Sequence, residues 1–235
     1  MNYPKIRFVV DRNKDLEAFK VLWRDTFLLS DIREKAFYNL YPELKILEKK
    51  SKEEREELIE KFVKDFYKTH ANEIKKGTKE TEKRWRKVES KYFKLVDKIF
   101  PNYPWPKGKY IAYTSIWNMF PYNRKDKFFQ FPYKHKKPNF ALTVIAHEML
   151  HFIFYDYVEQ KLGQKERIDG KFNMKLWNLA ESFNYIIMSS KPWVSVFKIK
   201  TLPYPQHEKL VPKLIKIEKE SKNIDEFLEK ALKIQ

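Results

Sequence analysis

Residues 139–161 read N-F-A-L-T-V-I-A-H-E-M-L-H-F-I-F-Y-D-Y-V-E-Q-K. Phe140, Leu142, Val144, Ile145, Met149, Leu150, Phe152, Ile153, Phe154 and Val158 leave almost no polar side, and a helix apolar all round is a buried helix. In its middle stands His147-Glu148-x-x-His151. Residues four apart on an α-helix lie nearly above one another, ~6 Å apart along the axis, so the two imidazoles can present to one point. That is the spacing of a zinc pair, and Glu148, a quarter-turn around, can reach a water at the ion without binding the ion itself. Buried without partners, such groups would cost about 1–3 kcal/mol each, a cost that a shared metal removes. The bland alternative is a pair of core histidines with Glu148 at the surface.

Working outward, a polar, Gly-containing loop (160–171) turns the chain back into a helix predicted over 172–189. Glu181 sits in its middle among Leu176, Trp177, Leu179, Phe183, Ile186 and Ile187. A carboxylate in that company needs a positive partner. If the two helices pack antiparallel, Glu181 becomes a third protein ligand and leaves the fourth position open, which is a catalytic arrangement and not a closed structural one. Beyond Pro192, residues 193–200 read as a strand. Thr201–His207 is a Pro-rich turn holding Tyr204 and His207, and two helices follow, the last capped by Asn223 with Glu226.

Upstream, the first hundred residues read as helical. After a short extended stretch at 6–10, helical patterns cover 15–30, with Leu16, Phe19, Leu22, Trp23 and Phe27 on one face, and 31–40, ended by Pro42. Ser51 with Glu54 forms a capping box, and Gly77 reads as a C-terminal stop. A further helix follows over 78–100, and His70, with no ligand-type partner at useful spacing, reads as a surface histidine. Three prolines in 101–106 mark a connector whose Tyr103 and Trp105 pack against one of the parts. The pattern then becomes extended: 109–117 and 127–133 read as strands, with Pro132 placing the second at a sheet edge, where a peptide could add as a strand.

The fold class is therefore α+β and predominantly helical. The expected domains are a helical region (1–100), a connector (101–108) and a small zincin-like domain (109–235). With 235 residues, 43% hydrophobic and 17% aromatic, the chain can bury a core. It has no Cys, so disulfides and Cys-based zinc fingers are excluded, and any metal falls to His, Asp or Glu. No signal-peptide core and no long apolar run are present, so the expectation is a cytoplasmic protein without a membrane span. The net charge of +17 is compatible with nucleic acid, but Lys and Glu interleave at helical spacings, as at Glu53/Glu57/Lys61 and Glu80/Arg84, which is the pattern of a solvated surface.

His147-Glu148-x-x-His151 followed by a helical Glu181 resembles the gluzincin metallopeptidases, the clan of thermolysin-like and aminopeptidase-N-like enzymes. Leu179-Ala180-Glu181-Ser182-Phe183-Asn184-Tyr185 is similar to the third-ligand helix of the aminopeptidase-N-like branch. The resemblance covers roughly residues 109–190. It implies zinc on His147, His151 and Glu181, Glu148 as general base, peptide-bond hydrolysis, and a substrate-binding edge strand before the motif helix. Tyr204 and His207 are the downstream candidates for oxyanion stabilisation.

The departures are specific. Twenty-nine residues (152–180) separate His151 from Glu181, more than in either branch, and there is no Gly-x-Met-x-Asn exopeptidase motif. Where the thermolysin-like branch orients a ligand His with an Asp, this chain has Tyr185, with Asn184 beside it. An ImmA/IrrE-like regulatory peptidase is a weaker match. From another class, the chain could be a basic nucleic-acid- or partner-binding protein whose zincin-like site is inactive or structural. A third reading makes 1–100 an inhibitory or partner-binding module.

Overall fold

In the computed structural model, residues 3–24 and 31–234 are described. The chain is α-rich with a small sheet, as expected for α+β, and divides into two compact units, each drawn from separated stretches. One comprises 5–85 and 108–145, the other 1–4, 86–107 and 146–235. The expected division at the connector does not coincide with these units.

The first unit contains a four-stranded sheet in the order β1-β2-β4-β3. β1 (Arg7–Val9) and β2 (Ile111–Ser115) pair in parallel, and β2 pairs in parallel with β4 (Phe128–Pro132) from Ile111↔Phe128 to Ser115↔Pro132. β3 (Tyr122–Asn123) pairs antiparallel with Phe129 and Phe128. The predicted edge strand at 127–133 is thus internal. Pro132 is tolerated because it is the last residue of β4 and the ladder continues through the Tyr133 N–H, which donates to the Ser115 carbonyl at 3.1 Å.

Helix α1 (Arg12–Arg24) begins earlier than predicted, and the rest of the 15–30 pattern, Phe27 included, lies outside the described residues. A π-helical turn at Glu34–Tyr38 and a 3₁₀ helix at Pro42–Lys49 follow, then α2 (Lys52–Thr69), whose N-terminus carries the Ser51/Glu54 capping box in both directions. Phe37 stacks edge-on to Trp117 with ring centroids 5.0 Å apart, and Phe19 lies 5.0 Å from Phe37. At the centre of this packing Asp15 is fully buried. Its carboxylate accepts from Ser115 Oγ (2.6 Å), Tyr67 Oη (2.7 Å), the Ile116 N–H (3.1 Å) and Gln130 Nε2 (3.2 Å).

The helix break lies at His70, and Gly77 falls inside α3 (Ala71–Ile99) instead of ending a helix. A Cβ at Gly77 would stand 2.1 Å from the Tyr133 carbonyl oxygen, so the glycine is there for close approach of two backbones. His70 is half-buried and not at the surface as expected: its ring stacks on Phe66 at 4.1 Å.

α4 (Phe140–Leu162) belongs to the first unit as far as Ile145 and to the second from Ala146. In the second unit, the connector packs as expected: Tyr103 donates to Asp156 at 2.7 Å, and Trp105 meets Phe93 edge-on at 5.3 Å. A short hairpin, β5 (Arg167–Ile168) with β6 (Lys171–Phe172), leads into α5 (Met174–Ser189), capped by the Asn173 side chain. The strand predicted at 193–200 is instead helix α6 (Lys191–Phe197). Pro192 in its first turn preorganises a helix, and Trp193 and Phe197, four apart, both face Tyr92 of α3. Helices α7 (Val211–Glu220) and α8 (Ile224–Lys233) complete the unit, with Phe227 against Phe183 at 5.9 Å. Among the described residues no helix is long and apolar enough to cross a membrane.

Candidate metal centre

All the predicted site residues fall in the second unit. One turn of α4 sets the His147 and His151 rings 4.7 Å apart and nearly perpendicular, with their Nε2 atoms 3.0 Å from each other. Glu181, from the middle of α5, closes the triangle: Oε2 lies 3.2 Å from His147 Nε2 and Oε1 lies 3.3 Å from His151 Nε2. A tetrahedral ion with bonds of ~2.0–2.1 Å holds its ligand atoms roughly 3.3–3.4 Å apart; here one ligand atom from each of the three residues lies within 4.8 Å of the others, with one carboxylate oxygen turned to each ring. Glu181 Oε2 is buried without a hydrogen bond of acceptable geometry. A buried carboxylate oxygen left in that condition, facing two imidazole nitrogens, fits a cation.

Exposure differs among the four motif residues. His151, Glu148 and Glu181 are 1%, 6% and 7% exposed, whereas the His147 side chain is 24% exposed, so the cluster is reached from the His147 side. Glu148 is therefore not the surface residue of the bland alternative. Burial pushes its carboxyl up to about 8; His147 opposes this and Glu181 adds to it. For His147, burial disfavours the charged ring, but the Glu181 carboxylate outweighs it and holds the ring up to about 9. Burial lowers His151 against the pull of Glu181. Glu181 is held well below the usual carboxylate range by the two rings, in spite of its burial.

Two asparagines on α5 flank the ligand, Asn178 three residues before Glu181 and Asn184 three after. Asn184 Nδ2 donates to the His147 carbonyl oxygen at 3.3 Å and lies 3.3 Å from His151 Nε2. That ring nitrogen is the one that also faces Glu181. Asn178 Oδ1 lies 2.9 Å from His207 Nε2. Of the polar period-3 row Asn178, Glu181, Asn184 inside an apolar helix, Glu181 and Asn184 were read from the sequence and Asn178 was not.

Tyr204 and His207 are both brought to α5. The Tyr204 ring stacks on Trp177 at 6.1 Å, and His207 packs between them, 5.4 Å from Trp177 and 5.7 Å from Tyr204. The Tyr204 hydroxyl lies within electrostatic reach of Glu181 and Glu148; burial first, then those two carboxylates, raise its pKa far above the ordinary phenol value. His207 is buried, its ring directed to Asn178. A search of family models, curated proteins and solved structures finds no match. The site is therefore read from its own geometry.

Proposed function

We propose that the protein is a zinc-dependent metallopeptidase of gluzincin type, hydrolysing peptide bonds in a peptide or protein substrate. The observation that carries the reading is the convergence of His147, His151 and Glu181, whose ring nitrogens lie 3.0 Å apart and 3.2 and 3.3 Å from one carboxylate oxygen each, with buried Glu148 beside them. His147, His151 and Glu181 would hold the ion. When bound, zinc polarises a carbonyl and makes water nucleophilic near neutral pH.

The chain's own residues supply the rest. Glu148 takes a proton from the attacking water and delivers it to the departing amine. Tyr204, its phenol kept protonated, donates a hydrogen bond to the oxygen on which charge develops. His207 is the second candidate for that role, but its Nε2 is engaged by Asn178, which favours Tyr204 as the donor and His207 as the residue that fixes the turn. Asn184, donating to the His147 carbonyl oxygen, ties α5 to the motif turn of α4.

The test is cleavage of a random peptide library by the zinc-loaded protein, with and without a chelator, alongside Glu148→Gln. Cleavage should vanish with the chelator and in Glu148→Gln, while that variant keeps one zinc per chain. Cleavage by Glu148→Gln would remove Glu148 as the base. A zinc-loaded wild type that cleaves nothing would favour a basic binding protein with an inactive site.

A further inference from the structure

The Lys/Glu interleaving read from the sequence describes α2, α7 and α8, but it does not describe the C-terminal half of α3. Lys87, Lys91, Lys94 and Lys98 follow a 4-3-4 spacing and are all exposed. At 100° per residue they fall within about 60° of one another around the helix, at axial steps of ~6, ~4.5 and ~6 Å. The two acids of the same stretch, Glu89 and Asp97, lie off this face, about 190° and 90° around the helix from the middle of the row, and are engaged elsewhere. Glu89 pairs with Arg86 at 2.8 Å, and Asp97 accepts from the Tyr3 hydroxyl. None of the four ammonium groups is paired with a carboxylate among the described residues. The opposite face is core: Tyr92, Phe93 and Val96 are buried.

Helix stability does not account for the row. A cation in the last turn complements the helix dipole, which covers Lys98, but the effect fades within that turn and leaves Lys87 and Lys91 unexplained. Lys87 with Lys91, and Lys94 with Lys98, are like-charge i,i+4 pairs, which destabilise a helix. On α7, by contrast, Lys216 stands 4.0 Å from Glu220.

We propose that this face of α3 binds the phosphate backbone of a nucleic-acid duplex. A straight row about 16 Å long matches a rigid polyanion carrying one charge per ~1.7 Å of its axis, so each lysine meets a phosphate and the repulsion within the row is relieved. Lysines act as point charges without the bidentate geometry that reads guanine, so binding is independent of sequence. A row one helix face wide fits a linear partner better than a membrane plane. The surface does not depend on the metal centre, and its test does not need peptidase activity.

The experiment is fluorescence anisotropy with a labelled 20-base-pair duplex across a salt series. Three proteins are compared: the wild type, a variant with Lys87, Lys91, Lys94 and Lys98 all changed to Gln, and a control of equal net charge with Lys209, Lys213, Lys216 and Lys219 changed to Gln. The wild type should bind with a log–log salt slope of about −3 to −4, from roughly 0.9 per phosphate contact. The α3 variant should bind at least tenfold more weakly at 0.1 M salt with a nearly flat slope, and the control should stay within threefold of wild type. Equal weakening in both variants would mean bulk charge alone and overturn the proposal. So would no wild-type binding at micromolar concentration, or α3-dependent binding of phosphatidylserine vesicles or polyglutamate without binding of the duplex.

Discussion

Asp15 and Tyr204 show how much one side chain's surroundings decide. Burial pushes Asp15 up to about 6, against the hydrogen bonds from Ser115, Tyr67, Ile116 and Gln130 that pull it down. An aspartate in the unfolded chain titrates near ~3.9, so the folded value is raised and the native state holds the proton more tightly. The stabilisation from this group is complete below ~3.9 and is lost as pH rises through about 6. The difference in unfolding free energy between wild type and Asp15→Asn should therefore shift against the wild type by about 2 kcal/mol between pH 4 and 7. Urea midpoints at several pH values check this; a pH-independent difference would contradict it. For Tyr204, replacement by Phe should lower kcat by about 10²–10³ with KM little changed, since the bond is made to the developing oxyanion. A change confined to KM would make Tyr204 a substrate-binding residue instead. His147, Glu148, His151 and Glu181 were all legible in the sequence, because polar side chains in apolar helices must answer to something. Asn178 was not, since its partner, His207, is 29 residues away and nothing local ties the two.

At the scale of elements, the readings that succeeded rested on local chemistry. The Ser51/Glu54 box, the all-apolar α4 and the Asn223 cap each depend on residues within a few positions. Those that failed depended on distant packing. Residues 193–197 carry a strand-like mixture of Trp, Val and Phe, but Tyr92, a hundred residues earlier, offers a surface for an i,i+4 face, and the helix wins. Gly77 looked like a helix terminator because its actual reason, the Tyr133 backbone, is far away in sequence. Gly77→Ala is accordingly expected to lower stability by about 1–3 kcal/mol, although alanine is the better helix former by about 1 kcal/mol. Chemical denaturation measures it; a neutral or stabilising result would mean that the approach to Tyr133 is looser than described. Ser51→Ala should cost about 1 kcal/mol by loss of the cap, read in the same way.

At the scale of the whole molecule, the compact units ignore the expected order of domains. The stretch 1–100 contributes 5–85 to one unit and 1–4 and 86–100 to the other. A chain beginning at 109 lacks part of both cores, including Phe19, Phe37, Tyr92 and Phe93. It is expected to show no cooperative thermal transition by circular dichroism. A sharp transition in that fragment would revive the reading of 1–100 as an inhibitory module. No periodicity or turn signal could have revealed this partition, because it is made of long-range contacts alone.

The interleaving also orders events during synthesis. The unit holding the sheet has all of its residues once Ile145 has been made, two positions before His147. The other unit waits for α8, long after Glu181. A nascent chain folding from its N-terminus can thus finish the sheet before His147, His151 or Glu181 has been added.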